Sequence, residues 1–132
     1  MDDALVDHIW EAVSDRVGSD LRVVTCYEAS TFETRMRPDV REAYSPSEDR
    51  VVVNDTIVNQ LRLPETEDVF KAGPLRSLVR VFEDAWVLSW RDGGSTKSGV
   101  IVSVERDGET ATMDDLDWLT RYLSSEVAPR ME

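Results

Sequence analysis

Residues 75 to 105 decide the fold. They read Leu75-Arg-Ser-Leu-Val-Arg-Val-Phe82, Glu83-Asp84, Ala85-Trp-Val-Leu-Ser-Trp90, Asp92-Gly93-Gly94 and Gly99-Val-Ile-Val-Ser-Val-Glu105. β-Branched and aromatic residues crowd three short runs, and only turn residues separate them. Connections that short cannot hold a crossover helix, so the three strands pair antiparallel. Val100, Val102 and Val104 point one way from the last strand. The middle strand, 85 to 90, is apolar on both faces and reads as central.

The last segment is helical, opening at Thr112 with Asp115 three positions on and burying Leu116, Leu119, Leu123 and Val127. Upstream, Ser45-Pro46-Ser47-Glu48 is a helix start, with Ser45 as cap, Pro46 at the first helical position and Glu48 completing a capping box. On that helix Val53, Ile57, Val58 and Leu61 share a face, and Pro64 ends it. Short helical turns are expected over 39–44 and 65–71. Before them, Leu21 to Tyr27 and Thr31 to Arg37 form a hairpin about Glu28-Ala29-Ser30, closed by Pro38. Phe32, Thr34 and Met36 alternate there with Glu33, Arg35 and Arg37, whose face is wet. The first segment is a helix with Leu5, Ile9, Val13 and Val17 in one stripe, Val6 and Trp10 beside it, acidic residues Asp2, Asp3 and Asp7 at its start, and Gly18 to end it.

The order is therefore α-β-β-α-β-β-β-α, an α+β sandwich with a five-stranded antiparallel sheet. At 132 residues, 41% of them hydrophobic, the chain is expected to be one domain spanning 1–132. No segment is apolar for long enough to span a bilayer, and Met1-Asp2-Asp3 begins no signal peptide. The single cysteine, Cys26, excludes an internal disulfide, and the expected compartment is the cytoplasm.

Net charge is −12, and 13 of the 15 basic residues are Arg, beside 18 Val and three Ile. Acids lie in every segment. That pattern reads as adaptation to a salt-rich cytosol, where screening blunts self-repulsion. An acidic face for a basic partner and mimicry of a nucleic-acid backbone are the alternatives. Direct nucleic-acid binding is not expected, because phosphate contacts need a basic patch.

The element order resembles the roadblock-type dynein light-chain fold, a relative of profilin-like and longin architectures. Leu21-Arg-Val-Val-Thr-Cys-Tyr27, Arg37-Pro-Asp-Val-Arg-Glu-Ala-Tyr-Ser-Pro46 and Val79-Arg-Val-Phe-Glu-Asp-Ala85 resemble small, uncharacterised haloarchaeal proteins. The roadblock resemblance implies pairing through a helix and a central strand, and service as a platform for small GTPases or larger complexes. It implies a pairing surface on Val53, Ile57 and Leu61 with Trp86, Leu88 and Trp90. Trp86 and Trp90 share one strand face and read equally well as core or as interface anchors. The short 39–44 insertion departs from the simplest roadblock form, and no catalytic motif carries over.

Chemistry is sparse. The sole histidine, His8, lies at the boundary of the first helix's apolar stripe. Cys26 sits in a strand, where a small buried hydrophobe is the usual outcome. One His and one Cys do not assemble a zinc site within one chain. Asp114, Asp115 and Asp117, and Glu65, Glu67 and Asp68 after Pro64, are acidic clusters of the kind that hold a hard cation or do acid–base work, but 27 acids produce such clusters without function and Asp114 and Asp115 have a structural role at a helix start. The 92–97 loop lacks the spacing of a phosphate loop. Arg35 and Arg37, with Arg76 and Arg80, would make a basic strip if their strands were neighbours, and would otherwise pair with Glu33 and Glu83.

The expectation is a non-enzymatic interaction or regulatory module with no catalytic, cofactor or metal residues, a homodimer or the partner of another protein, away from membranes. The alternative is a ligand-sensing or transcription-linked regulator acting through a separate DNA-binding partner.

Overall fold

The computed structural model describes residues 3–29, 31–93 and 97–131. Asp2, Ser30 and Gly94, parts of the expected helix start and turns, lie outside the described residues. The elements are α1 (Asp3–Val17), β1 (Leu21–Glu28), β2 (Thr31–Met36), α2 (Pro38–Ala43), α3 (Pro46–Gln60), α4 (Leu63–Phe70), β3 (Ser77–Val81), β4 (Ala85–Arg91), β5 (Ser98–Glu105) and α5 (Met113–Tyr122). A π-type turn over Leu123–Val127 carries α5 into α6 (Ala128–Met131).

The five strands form one antiparallel sheet in the order β2-β1-β5-β4-β3. The chain is α+β, with two short helices, α2 and α4, where helical turns were expected. The middle strand is β5, not β4, and β5 is buried along nearly its whole length. It is central because β1 returns to pair with it, Val24 opposite Val102 and Cys26 opposite Val100. That non-local pairing leaves β2 and β3 at opposite edges, so no basic strip joins Arg35 and Arg37 to Arg76 and Arg80. Their partners differ from those expected as well. Arg35 bonds Asp7, Arg37 bonds Asp39 and Glu105, and Arg80 bonds Asp55.

The sheet's two faces are closed differently. On one, the α1 stripe of Leu5, Ile9, Val13 and Val17 and the α5 stripe of Leu116, Leu119, Leu123 and Val127 meet Val24, Cys26, Leu88, Val100, Val102 and Val104. Gly18, at φ +62, ends α1 in the left-handed conformation that glycine adopts at least cost. On the side of β2 expected to be wet, Arg35 is exposed, with its guanidinium 4.7 Å over the Trp10 ring of α1.

On the other face sits α3, started by the expected capping box: Glu48 N–H donates to Ser45 Oγ at 3.3 Å, and Ser45 N–H to Glu48 Oε1 at 3.0 Å. Its buried stripe is Asp49, Val53, Thr56 and Gln60; of the expected face, Val53 is buried and Ile57 packs beside it, while Val58 and Leu61 are exposed. Three of those four inward residues are polar, and each has a partner. Asp49 takes Arg41 at 2.9 Å, Thr56 Oγ1 donates to Val52 O at 2.9 Å, and Gln60 Nε2 donates to Ser98 O at 3.0 Å while its Oε1 accepts from the Tyr27 hydroxyl. The apolar contact on this side is small: Tyr27, Val53 and Ile101, with Phe32, Ile57 and Val87 packed against them. Pro64 lies in the first turn of α4 instead of ending α3.

Candidate functional site

The residues weighed for chemistry are mostly committed to structure. Cys26 is fully buried, and burial pushes its thiol up to about 12, so it holds its proton at neutral pH. His8 is half-buried on α1. Asp115 accepts from Thr112 N–H at 2.8 Å and from Arg16 at 2.7 Å, and Asp117 pairs with Arg121. Burial raises the Asp115 carboxyl, but these bonds outweigh it and hold the group below the usual range. Glu67 ties α4 to the sheet through Arg91 at 2.6 Å and Leu75 N–H at 3.2 Å. Among the described residues, no three His, Cys, Asp or Glu side chains gather as a metal site. Of the 92–97 loop, 94–96 lie outside the described residues. Its base is closed by Asp92 N–H donating to Ser98 O at 3.0 Å.

The six pairing candidates divide sharply. Trp86, Leu88 and Trp90 point from β4 into the core beneath α1 and α5, and Trp90 Nε1 donates to Ser124 Oγ at 3.0 Å. With β3 and β5 on either side, β4 has no edge of its own. Val53 is buried against Tyr27 and Ile101, and Ile57 is half-buried in the same group. Leu61 alone of the six is exposed, at 50%. The exposed apolar side chains nearby are Val58 on α3, at 56%, and Val81 and Phe82 at the end of β3, at 57% and 52%. The sequence singled out Val58 and Leu61 for the wrong side of α3, because a polar stripe with distant partners took the inward position.

Where α3 is held off the sheet, a cavity of about 320 Å³ opens. Its floor is Val23, Thr25, Val87, Ile101 and Ser103 from the sheet, and α2 and α3 cover it with Val40, Tyr44 and Val52. Asp49 lines it with its charge matched by Arg41, and Glu83 and Asp84 lie in its wall at the β3–β4 turn. The cavity also contains Arg22, which the sequence did not mark. Between Leu21 and Val23 the register of β1 against β5 slips, Leu21 facing Val104 and Val23 facing Ser103, so Arg22 is the extra residue of a β-bulge. Strict alternation would send Arg22 to the α1 side. The bulge instead lets it line the cavity, where its guanidinium donates to Ser103 Oγ at 3.2 Å.

No helix among the described residues is long and apolar enough to cross a membrane. A search of curated proteins finds no match to this sequence. A family model does match, over residues 7–127, nearly the whole folded unit, and on that match the chain belongs to DUF7522, a domain of unknown function.

Proposed function

We propose that this chain is a non-enzymatic interaction module that works as a homodimer in a salt-rich cytosol, pairing through the β3 edge and the adjoining outer face of α3. One observation carries the reading: β3 ends the sheet with one side of its backbone unpaired, flanked by the exposed apolar side chains of Val81 and Phe82. An open edge beside apolar surface is a template for a second strand unless something covers it. Arg80 bonds Asp55 at 3.0 Å and so brings α3 alongside that edge, with Val58 and Leu61 outward. The roadblock resemblance, in which a helix and a strand pair across the two-fold axis, supports the same surface. The charge of −12 with Arg in place of Lys supports the salt-rich setting. Sedimentation in molar KCl tests the pairing. The wild-type chain is expected to run as a dimer and Val81→Asp as a monomer, whereas a strictly monomeric wild type overturns the reading.

The cavity favours a second reading, a ligand-sensing regulator that works through a separate DNA-binding partner. Copurification from the native host at its own salt concentration separates the two. A DNA-binding protein in the eluate supports the second, and its absence beside a self-associated chain supports the first.

A further inference from the structure

We infer that the cavity between the sheet and the α2–α3 pair is a binding site for a small monocarboxylate with an apolar body. The inference rests on reading that cavity as a ligand site and needs neither the dimer nor a DNA-binding partner.

Size and lining come first. About 320 Å³ is at the lower end of small-molecule pockets, and the walls are largely aliphatic, with Val23, Val40, Val52, Val87 and Ile101 facing inward. A body without polar groups fits those walls, because any buried polar group there would lack a partner.

Two polar groups of the cavity, Arg22 and Ser103, have N–H or O–H donors, while Thr25 Oγ1 is engaged with Thr34 Oγ1 at 2.7 Å. Arg22 has five N–H donors and no acceptor, and its one hydrogen bond among the described residues goes to a neutral hydroxyl. Other arginines of the chain, Arg16, Arg37, Arg41 and Arg91 among them, are paired with carboxylates of the protein. Among the described residues Arg22 has no such pair, nor do Arg62, Arg76, Arg106 and Arg130, and of these only Arg22 lines the cavity. Ser103 is buried, and its oxygen accepts from Arg22, so its own O–H proton is left to donate. A guanidinium and a hydroxyl turned toward one apolar space suit an oxygen anion, and a carboxylate matches the guanidinium fork in two bonds.

The bulge strengthens the assignment. It breaks the ladder at one residue, and its consequence is to place Arg22 in the cavity. Bulges of this kind recur beside binding sites, where they re-aim a side chain. The negative charges nearby do not cancel the site. Asp49 is neutralised by Arg41, and Glu83 and Asp84 lie exposed on the turn, where solvent and salt screen them.

The test measures binding by titration calorimetry in fixed molar KCl, with octanoate and 4-phenylbutanoate as chain and ring probes. The matching alcohols and amines serve as controls. At least one acid is expected to bind about tenfold tighter than its alcohol, the size of one charge-assisted contact. Arg22→Met, which keeps the stem and loses the charge, is expected to bind acid and alcohol alike. Ser103→Ala is expected to reduce the preference in part. Amide spectra of each variant check that the fold is retained, with Arg22→Gln as the second variant should Arg22→Met unfold. Binding of neither acid, an amine binding as well as its acid, or an acid preference that survives in a folded Arg22 variant overturns the inference. Sedimentation of the same samples reads the dimer separately.

Discussion

Asp20 offers the sharpest test of how the described contacts hold this chain together. It ends the 3₁₀ turn after α1, buried, and its carboxylate accepts three backbone N–H groups from the loop before α5: Glu109 at 3.2 Å, Thr110 at 2.8 Å and Ala111 at 2.8 Å. One side chain therefore fixes the approach of the last helix from 90 residues away. Gly108 stands against the same group. A Cβ there would lie 2.6 Å from Asp20 Cγ and 2.7 Å from Oδ2, well inside contact distance. The carboxylate cannot retreat without giving up its three donors. Asp20→Ala removes three bonds of about 1 kcal/mol each, with the freed N–H groups partly rehydrated, so a loss of about 3 kcal/mol is expected. Asp20→Asn keeps one oxygen for the two shorter bonds and should lose about half as much. Gly108→Ala should cost about 1–3 kcal/mol by overpacking. In the double mutant Asp20→Ala/Gly108→Ala the obstruction is gone, so the two costs should fall short of additivity by about 1–2 kcal/mol.

Urea unfolding at one fixed KCl concentration measures the cycle. Its pH dependence adds a second reading. Burial raises the Asp20 carboxyl, but the N–H groups of Ala111, Thr110 and Glu109, with Arg37 beyond them, outweigh it and hold it below the usual carboxylate range. A lowered folded pKa means the contribution is complete above the unfolded value of about 3.9 and is lost as pH falls through the folded one. Asp20→Asn should therefore flatten the acid limb of the stability profile. Strict additivity of Asp20→Ala and Gly108→Ala, or an Asp20→Ala cost under about 0.5 kcal/mol, would refute the reasoning.

Two further expectations follow from burial. Cys26, with its thiol pushed up to about 12, should resist a disulfide reagent at pH 8 while the chain is folded and react at once in urea, so rapid labelling of the native chain contradicts its placement. The Tyr122 hydroxyl is buried with no hydrogen-bond partner among the described residues, and its ring stacks on Trp118 at 5.2 Å. Tyr122→Phe keeps the ring and removes the unpaired oxygen, so thermal unfolding should show a stability unchanged or raised by up to about 1 kcal/mol, and a clear loss would mean the hydroxyl has a partner.

Legibility in the sequence followed the chemistry of each face. The α1 and α5 stripes were readable because they are unbroken runs of aliphatic residues at helical spacing, and packing takes such stripes inward whatever lies elsewhere. The hairpins β1–β2 and β3–β4 were readable because their turns are local. What joins them was not, since β1 pairs with β5 across more than seventy residues, and that pairing alone makes β5 central and parts Arg37 from Arg80. The inward side of α3 was hidden for a related reason. Thr56 and Gln60 look like surface residues until Tyr27 and Ser98, far away in sequence, supply a buried partner for Gln60. The bulge at Arg22 leaves no mark in composition or spacing, and it is what turns Arg22 toward the cavity.

The two faces of the sheet also divide the work of the molecule. On the α1–α5 side, aliphatic stripes pack into the main core, and the arginines there act as planar lids: Arg16 lies 4.7 Å over Trp118 while bonding Asp115, and Arg35 does the same for Trp10 and Asp7. A guanidinium can stack and pair at once in a way an ammonium cannot, so part of the preference for Arg over Lys is structural and not an answer to salt alone. On the α3 side, polar anchors at Asp49 and Gln60 hold the helix at two points and leave space between helix and sheet. Such a face gives up close packing, and with it some stability, in exchange for a concave surface. The side that stays open carries the bulged Arg22, the cavity and the β3 edge together, and both proposed modes of binding would use it.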